Sequence, residues 1–127
     1  MKEETRRHLR RARRLLAMVE TRVESELPEI IAHTAYYAMY HAVIAVFAEK
    51  GLPLPKTHSG IVSRLSQLDR EESLDAKAEV ARLSRALDRR LIADYEAEDL
   101  LTVEHVRTAR DEAVSFFSFC ERLIGTP

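Results

Sequence analysis

From Ile61 to Ile124 the chain contains neither glycine nor proline, and the stretches from Met1 to Leu27 and from Glu29 to Lys50 are equally free of both. Three glycines and four prolines in 127 residues leave too few turn positions for a sheet of many short strands. The intervening segments are rich in Ala, Leu, Glu and Arg, residues that lose little on entering a helix. An all-β sandwich or barrel is therefore excluded, and an all-α fold is expected. With 46% hydrophobic and 32% charged residues, the chain can bury a core and coat it. Its length suits a single domain, 1–127. The lone cysteine, Cys120, allows no internal disulfide and no multi-thiolate metal site, so it reads as a small core residue in a reducing compartment.

Apolar spacing places the helices. Leu9, Ala12, Leu16, Val19 and Val23 recur at intervals of three and four, giving a first helix over about 2–25 that ends before Pro28. Pro28 opens a second helix over about 28–50, with Gly51 as its stop. That helix carries two apolar rows, Tyr36, Tyr40, Val43, Phe47 and Ala35, Ala38, Ala42, Ala45, so it should touch neighbours on more than one side. Pro53 and Pro55 mark a loop, followed by a short helix over about 58–69. Ala76, Val80, Leu83, Leu87 and Leu91 define a helix over about 73–95. Thr102 caps a last one beginning at Val103, and Gly125 ends it. The economical arrangement is an antiparallel up-and-down four-helix bundle with an additional short helix.

The net charge of −1 conceals a polarity. Residues 1–14 carry seven basic side chains against Glu3 and Glu4, or +5, which leaves −6 for the remainder. Arg6, Arg10 and Arg13 form one helical row and Arg7, Arg11 and Arg14 another. Positive charge near a helix N-terminus opposes the macrodipole, so its use lies elsewhere. Phosphates of RNA or an acidic partner would suit these rows, the plain alternative being a solvated face paired with Glu96, Glu98 and Asp99. There is no unbroken apolar run of about 18 residues and no apolar stretch like that of a secretory signal. No membrane association is expected, and the location expected is cytoplasmic.

On the second helix Glu29, His33, Tyr37 and His41 follow at intervals of four and stack on one face. Buried histidines are ordinarily hydrogen-bonded core residues, but here several polar groups converge. Arg90, Asp94 and Tyr95 on a later helix are suitable partners for Tyr36, Tyr37 and His41 if the two helices lie side by side. A di-iron bundle needs Glu-x-x-His on two helices. The residues three before each histidine are Thr5, Ile30, Ala38, Pro55 and Thr102, so that site is absent and neither metal nor cofactor is expected.

The string Ala35-Tyr36-Tyr37-Ala38-Met39-Tyr40-His41-Ala42, followed by Lys56-Thr57-His58-Ser59-Gly60 and by Arg90-x-x-Ala93-Asp94-Tyr95, resembles the small stand-alone HEPN domain proteins of prokaryotes over nearly the whole chain. The resemblance implies a helical bundle, a homodimer, and pairing with a small MNT-type nucleotidyltransferase in toxin–antitoxin modules. Many family members are metal-independent ribonucleases with an Arg-x4–6-His motif. Here no arginine stands five to seven residues before any histidine, and Thr34 occupies the position before AYY where arginine is common. The family's catalytic residues are therefore not carried over.

Two readings follow. One is a binding module for the nucleotidyltransferase and a nucleotide, with Tyr37, His41, His58, Arg90, Asp94 and Tyr95 lining a pocket or tying helices together. The other is a divergent endoribonuclease toxin in which His41 or His58 is the acid or base and Arg90, or the Arg6 to Arg14 rows, holds phosphate.

Overall fold

The computed structural model describes residues 1–125 and contains, among them, five helices and no strand. They are α1 (Glu3–Arg22), α2 (Pro28–Glu49), α3 (His58–Glu72), α4 (Lys77–Tyr95) and α5 (Val103–Ile124). The boundaries differ from the sequence expectation chiefly around α3. Apolar spacing ends at Leu68, but α3 continues a further turn to Glu72, where Ser73 closes it in the left-handed conformation at φ 52°. Asp75 is also left-handed, and α4 starts only at Lys77.

Cross-helix pairs give the topology. Thr5 meets Glu49 while His8 meets His41, so α1 and α2 are antiparallel. Glu79 meets Ser115 and Arg89 meets Glu112, so α4 and α5 are antiparallel. Arg13 meets Glu121 and Arg107 meets Glu24, which closes α5 onto α1. The four long helices thus alternate in direction as an up-and-down bundle, and α3 packs against α4 outside it.

Helix α2 is central, as its two apolar rows predict: it packs against α1, α4 and α5. Ala35, Ala38, Ala42 and Ala45 are buried and let neighbouring backbones approach closely, while Tyr36, Met39, Val43 and Phe47 fill the interior. Among the described residues α2 alone is long and apolar enough to cross a membrane, but most of its apolar stretch is buried inside the bundle. Cys120 is fully buried in the same core, and burial pushes its thiol pKa well up.

Local chemistry sets the ends. Gly51 turns at φ +68° just past the C-cap of α2, which is costly for a residue with a Cβ. Thr57 caps α3 by accepting from the Gly60 amide at 2.9 Å. Gly60 is required by closeness, since a Cβ there would lie 2.8 Å from Thr57 Oγ1. Thr102 caps α5, accepting from the His105 amide at 3.3 Å, while His105 Nδ1 accepts from the Thr102 amide at 3.0 Å. His105 is thereby accounted for as a capping residue.

Candidate functional site

The loop after α2 runs back beside that helix, so His58, the first residue of α3, meets Tyr36 and Tyr40. Three aromatic rings gather around it. Tyr36, Tyr37 and Tyr40 have centroids 5.4, 6.0 and 5.4 Å from His58. Tyr36 and Tyr37 meet edge to face at 5.3 Å, and His33 leans on Tyr37 at 4.8 Å. The Arg90 guanidinium, on α4, lies 5.6 Å from the Tyr37 centroid and 5.9 Å from that of Tyr95, so it is flanked by both rings. Its Nε is 2.8 Å from Asp94 Oδ2, an ion pair without hydrogen-bond alignment.

These contacts determine where protons sit. Burial raises the Tyr36 pKa well above that of an ordinary phenol, so its hydroxyl stays protonated. Fully buried and with no other acceptor among the described residues, it donates to His58 Nδ1 at 2.6 Å. Burial first, and then the charge of Arg90, lower the His58 pKa, keeping the ring neutral with its proton on Nε2. His58 therefore presents an N–H donor. His33 is the reverse: its Nδ1–H donates to Asp94 at 2.9 Å, and the acceptor face of Nε2 is left over. A donor imidazole and an acceptor imidazole consequently flank Tyr37. The His33 ring is almost half exposed and, with Glu29, Ile30, Ala93 and Asp94, borders a cleft of about 290 Å³.

His41 lies at the edge of this cluster. It touches Tyr40 at 5.1 Å and its Nδ1 is 3.0 Å from Nδ1 of His8 on α1. At that separation one ring donates and the other accepts, so the pair tolerates one extra proton and not two. Burial, reinforced by His8 and Arg11, lowers the His41 pKa to about 4. Burial also lowers that of His8, against the opposing pull of Glu4.

Of the residues expected from sequence, Tyr37, His58, Arg90, Asp94 and Tyr95 do come together. His41 does not reach Arg90 or Asp94; it engages α1 instead. The polar line of α2 is also less buried than its apolar surroundings imply: His33 is exposed, and Glu29, Tyr37 and His41 are half-buried. Sequence reasoning left His8 and Tyr40 out, and counted His33 and Tyr36 among the converging polar groups without placing them in the site. The four-residue spacing of His33 from Tyr37 was a usable signal, but nothing local connects His8 with His41.

The arginine rows divide differently from the simple surface alternative. Arg13 pairs with Glu121 at 2.9 Å and Arg6 approaches Glu3 at 3.9 Å. Arg7, Arg10, Arg11 and Arg14 make no ion pair among the described residues, and neither do Glu96, Glu98 and Asp99, so the expected pairing between them does not form. No grouping of three or more metal-ligating side chains occurs among the described residues.

Comparison with known proteins agrees with this architecture. A UPF0332 protein of Archaeoglobus fulgidus is similar, with 36% identity over 87 residues, covering 68% of this chain and 68% of the relative. A sequence profile of the HEPN domain matches residues 5–123, nearly all of the five-helix bundle, and the chain therefore belongs to the HEPN domain family.

Proposed function

We propose that the protein is a cytoplasmic HEPN binding module that acts as a homodimer, pairs with a small MNT-type nucleotidyltransferase in a toxin–antitoxin-like module, and recognises a nucleotide. The observation that carries the ligand reading is the edge-to-face and tilted cluster of the half-buried Tyr37 and Tyr40 with His58 beside Arg90, resting on the fully buried Tyr36. The exposed ring of Tyr95 and the half-buried rings of Tyr37 and Tyr40 offer a base a stacking surface, and the His58 Nε2–H and His33 Nε2 offer a donor and an acceptor for its edge or its phosphate. The partner reading rests on family membership. Co-expression with an adjacent nucleotidyltransferase gene is expected to yield a complex that survives purification at micromolar concentration; separate elution of the two chains removes the partner assignment. For the ligand, Tyr37→Ala should weaken nucleotide binding by about 1 to 3 kcal/mol, the usual worth of a stacked base. Unchanged affinity in that variant would place recognition away from the cluster.

A second reading, a divergent metal-independent endoribonuclease, is favoured by one specific observation: His33 and His58 offer opposite proton functions on either side of Tyr37. In that reading His33 withdraws a proton from the attacking 2′-hydroxyl and, once protonated, returns it to the leaving oxygen, while the Nε2–H of neutral His58 hydrogen-bonds a phosphate oxygen. His41 is less suited, because its Nδ1 is engaged by His8 and its pKa is far from neutrality. Arg90, already committed to Asp94, would position the dyad. The unpaired arginines of α1 would supply phosphate binding that weakens steeply with salt. Cleavage of total RNA should fall about 100-fold or more in His33→Ala and His58→Ala and much less in His41→Ala. Absence of cleavage, or equal activity in all three variants, rejects the nuclease.

A further inference from the structure

At the far end of α3 and α4 from the aromatic cluster, the two helices enclose an outer cleft of about 460 Å³, within the size range of small-ligand sites. Helix α3 contributes Ser63, Ser66 and Arg70, at spacings of three and four that bring them to one face, and α4 contributes Lys77 and Ser84, two turns apart. Val62, Val80 and Ala81 form its apolar wall.

The charges in this cleft differ from those on the rest of the helix pair. On α3 and α4, Arg64, Arg82, Arg85, Arg89 and Arg90 each hold a carboxylate, namely Glu71, Glu79, Glu112, Glu112 and Asp94. Arg70 and Lys77 hold none among the described residues, and these are the two cations that line the cleft. The single acidic residue there, Asp69, is already engaged: its Oδ1 accepts from the Ala76 amide at 2.9 Å. Arg70 is kept over the cleft by donating from Nη1 to Ser66 Oγ at 3.0 Å. Ser63 and Ser84 make no side-chain hydrogen bond among the described residues. Ala76 occupies the N-cap of α4 and offers no side-chain acceptor, and the first amide to find a helical partner is that of Val80, on Ala76 O. The amide of Lys77, a lining residue in this unpaired first turn, thus adds a donor at the edge of the cleft.

We propose that the α3–α4 cleft is a phosphate-binding site, taking the group either as free phosphate or as the terminal phosphomonoester of a small metabolite. A guanidinium, an ammonium, free hydroxyls and a helix-end amide are all donors, and because Arg70 and Lys77 outnumber the one carboxylate, Asp69, a phosphate dianion meets a net positive charge there. The apolar wall would seat the organic part of a phosphomonoester. The site is separate from the aromatic cluster and stands whether or not that cluster binds nucleotides.

The test is titration of the full chain with inorganic phosphate, AMP and adenosine at constant ionic strength balanced with chloride, followed by amide NMR and calorimetry. Phosphate is expected to shift the amides of Lys77, Ala78 and Glu79. Tighter binding of AMP than of phosphate identifies a phosphomonoester seated on the apolar wall, and equal or weaker binding of AMP identifies free phosphate; adenosine should leave these amides unmoved. Arg70→Ala and Lys77→Ala should each weaken phosphate binding about tenfold, as expected for loss of a charge-assisted contact, and Lys77→Arg should largely restore it. Both side chains are exposed, so the variants should keep the parent's melting curve. No amide shift up to about 10 mM phosphate, the same response to chloride alone, or affinity indifferent to both substitutions overturns the proposal.

Discussion

Glu112→Ala is expected to lower the unfolding free energy by about 3 kcal/mol, the cost of leaving a buried charge without its partner. Glu112 is on α5 and its side chain is only 10% exposed; it accepts hydrogen bonds from Arg85 and Arg89 of α4. Burial acts to raise its pKa, but the two guanidiniums outweigh burial and hold it below the ordinary carboxylate value. Arg89, at 16% side-chain exposure, already has one buried nitrogen without a partner, so losing Glu112 strands its charge. Arg85 is half exposed, and Arg85→Ala should cost no more than about 1 kcal/mol. The double replacement Arg89→Met with Glu112→Leu should recover most of the loss, because it removes both charges from the interior together. Urea unfolding followed by circular dichroism at pH 7 measures all three. A loss below about 1 kcal/mol for Glu112→Ala would mean that water reaches the pair and screens it. The consequence reaches the aromatic cluster, because Arg90 and Asp94 follow Arg89 on the same helix. The α4–α5 ion pairs and the His33–Asp94 bond hold α4 from opposite sides.

Why the bundle was readable from sequence and the site only partly so has a physical basis. Helix positions follow from apolar spacing, from Pro28 at a first turn and from Gly51, Thr57 and Thr102 at ends, all local signals that need no partner. Where such signals gave out, so did the reading. Nothing in the Leu68 to Ala76 stretch announces a left-handed Ser73 or Asp75, so the α3–α4 boundary was misplaced by several residues. The cluster divides along the same line. Tyr37 with His33, and Arg90 with Asp94, are neighbours within single helices, and their four-residue spacings were visible. The bonds between helices, Tyr36 to His58 and His8 to His41, join residues far apart in the chain, and only packing decides which polar group finds which. That is why His41 was assigned to the Arg90 side, when the antiparallel run of α1 instead delivers His8 to it.

The His8–His41 pair makes the fold acid-sensitive in a defined window. His41 has a pKa of about 4 in the folded chain against 6.5 in the unfolded one, so between those values the unfolded state holds more protons and stability rises with pH. The contribution is complete above pH 6.5 and is lost as pH falls toward 4. Because the ring is half-buried, solvent screening reduces its share to about 1 to 2 kcal/mol. The pKa values of His8 and His58 are lowered too, and both act in the same direction. Protonating His58 also deprives the buried Tyr36 hydroxyl of its acceptor, coupling the aromatic cluster to the same transition. Glu49 and Glu112, also lowered, lose their contributions only below their ordinary value of 4.5, so the span from 6.5 to 4.5 belongs to the histidines. Unfolding measured at intervals across that span should therefore show a slope that His8→Leu with His41→Leu largely flattens, while proton NMR of the parent places the His41 midpoint near 4. A flat parent profile, or a His41 midpoint at 6.5, would show that the two rings titrate as free imidazoles and that packing of α1 on α2 owes nothing to their shared proton.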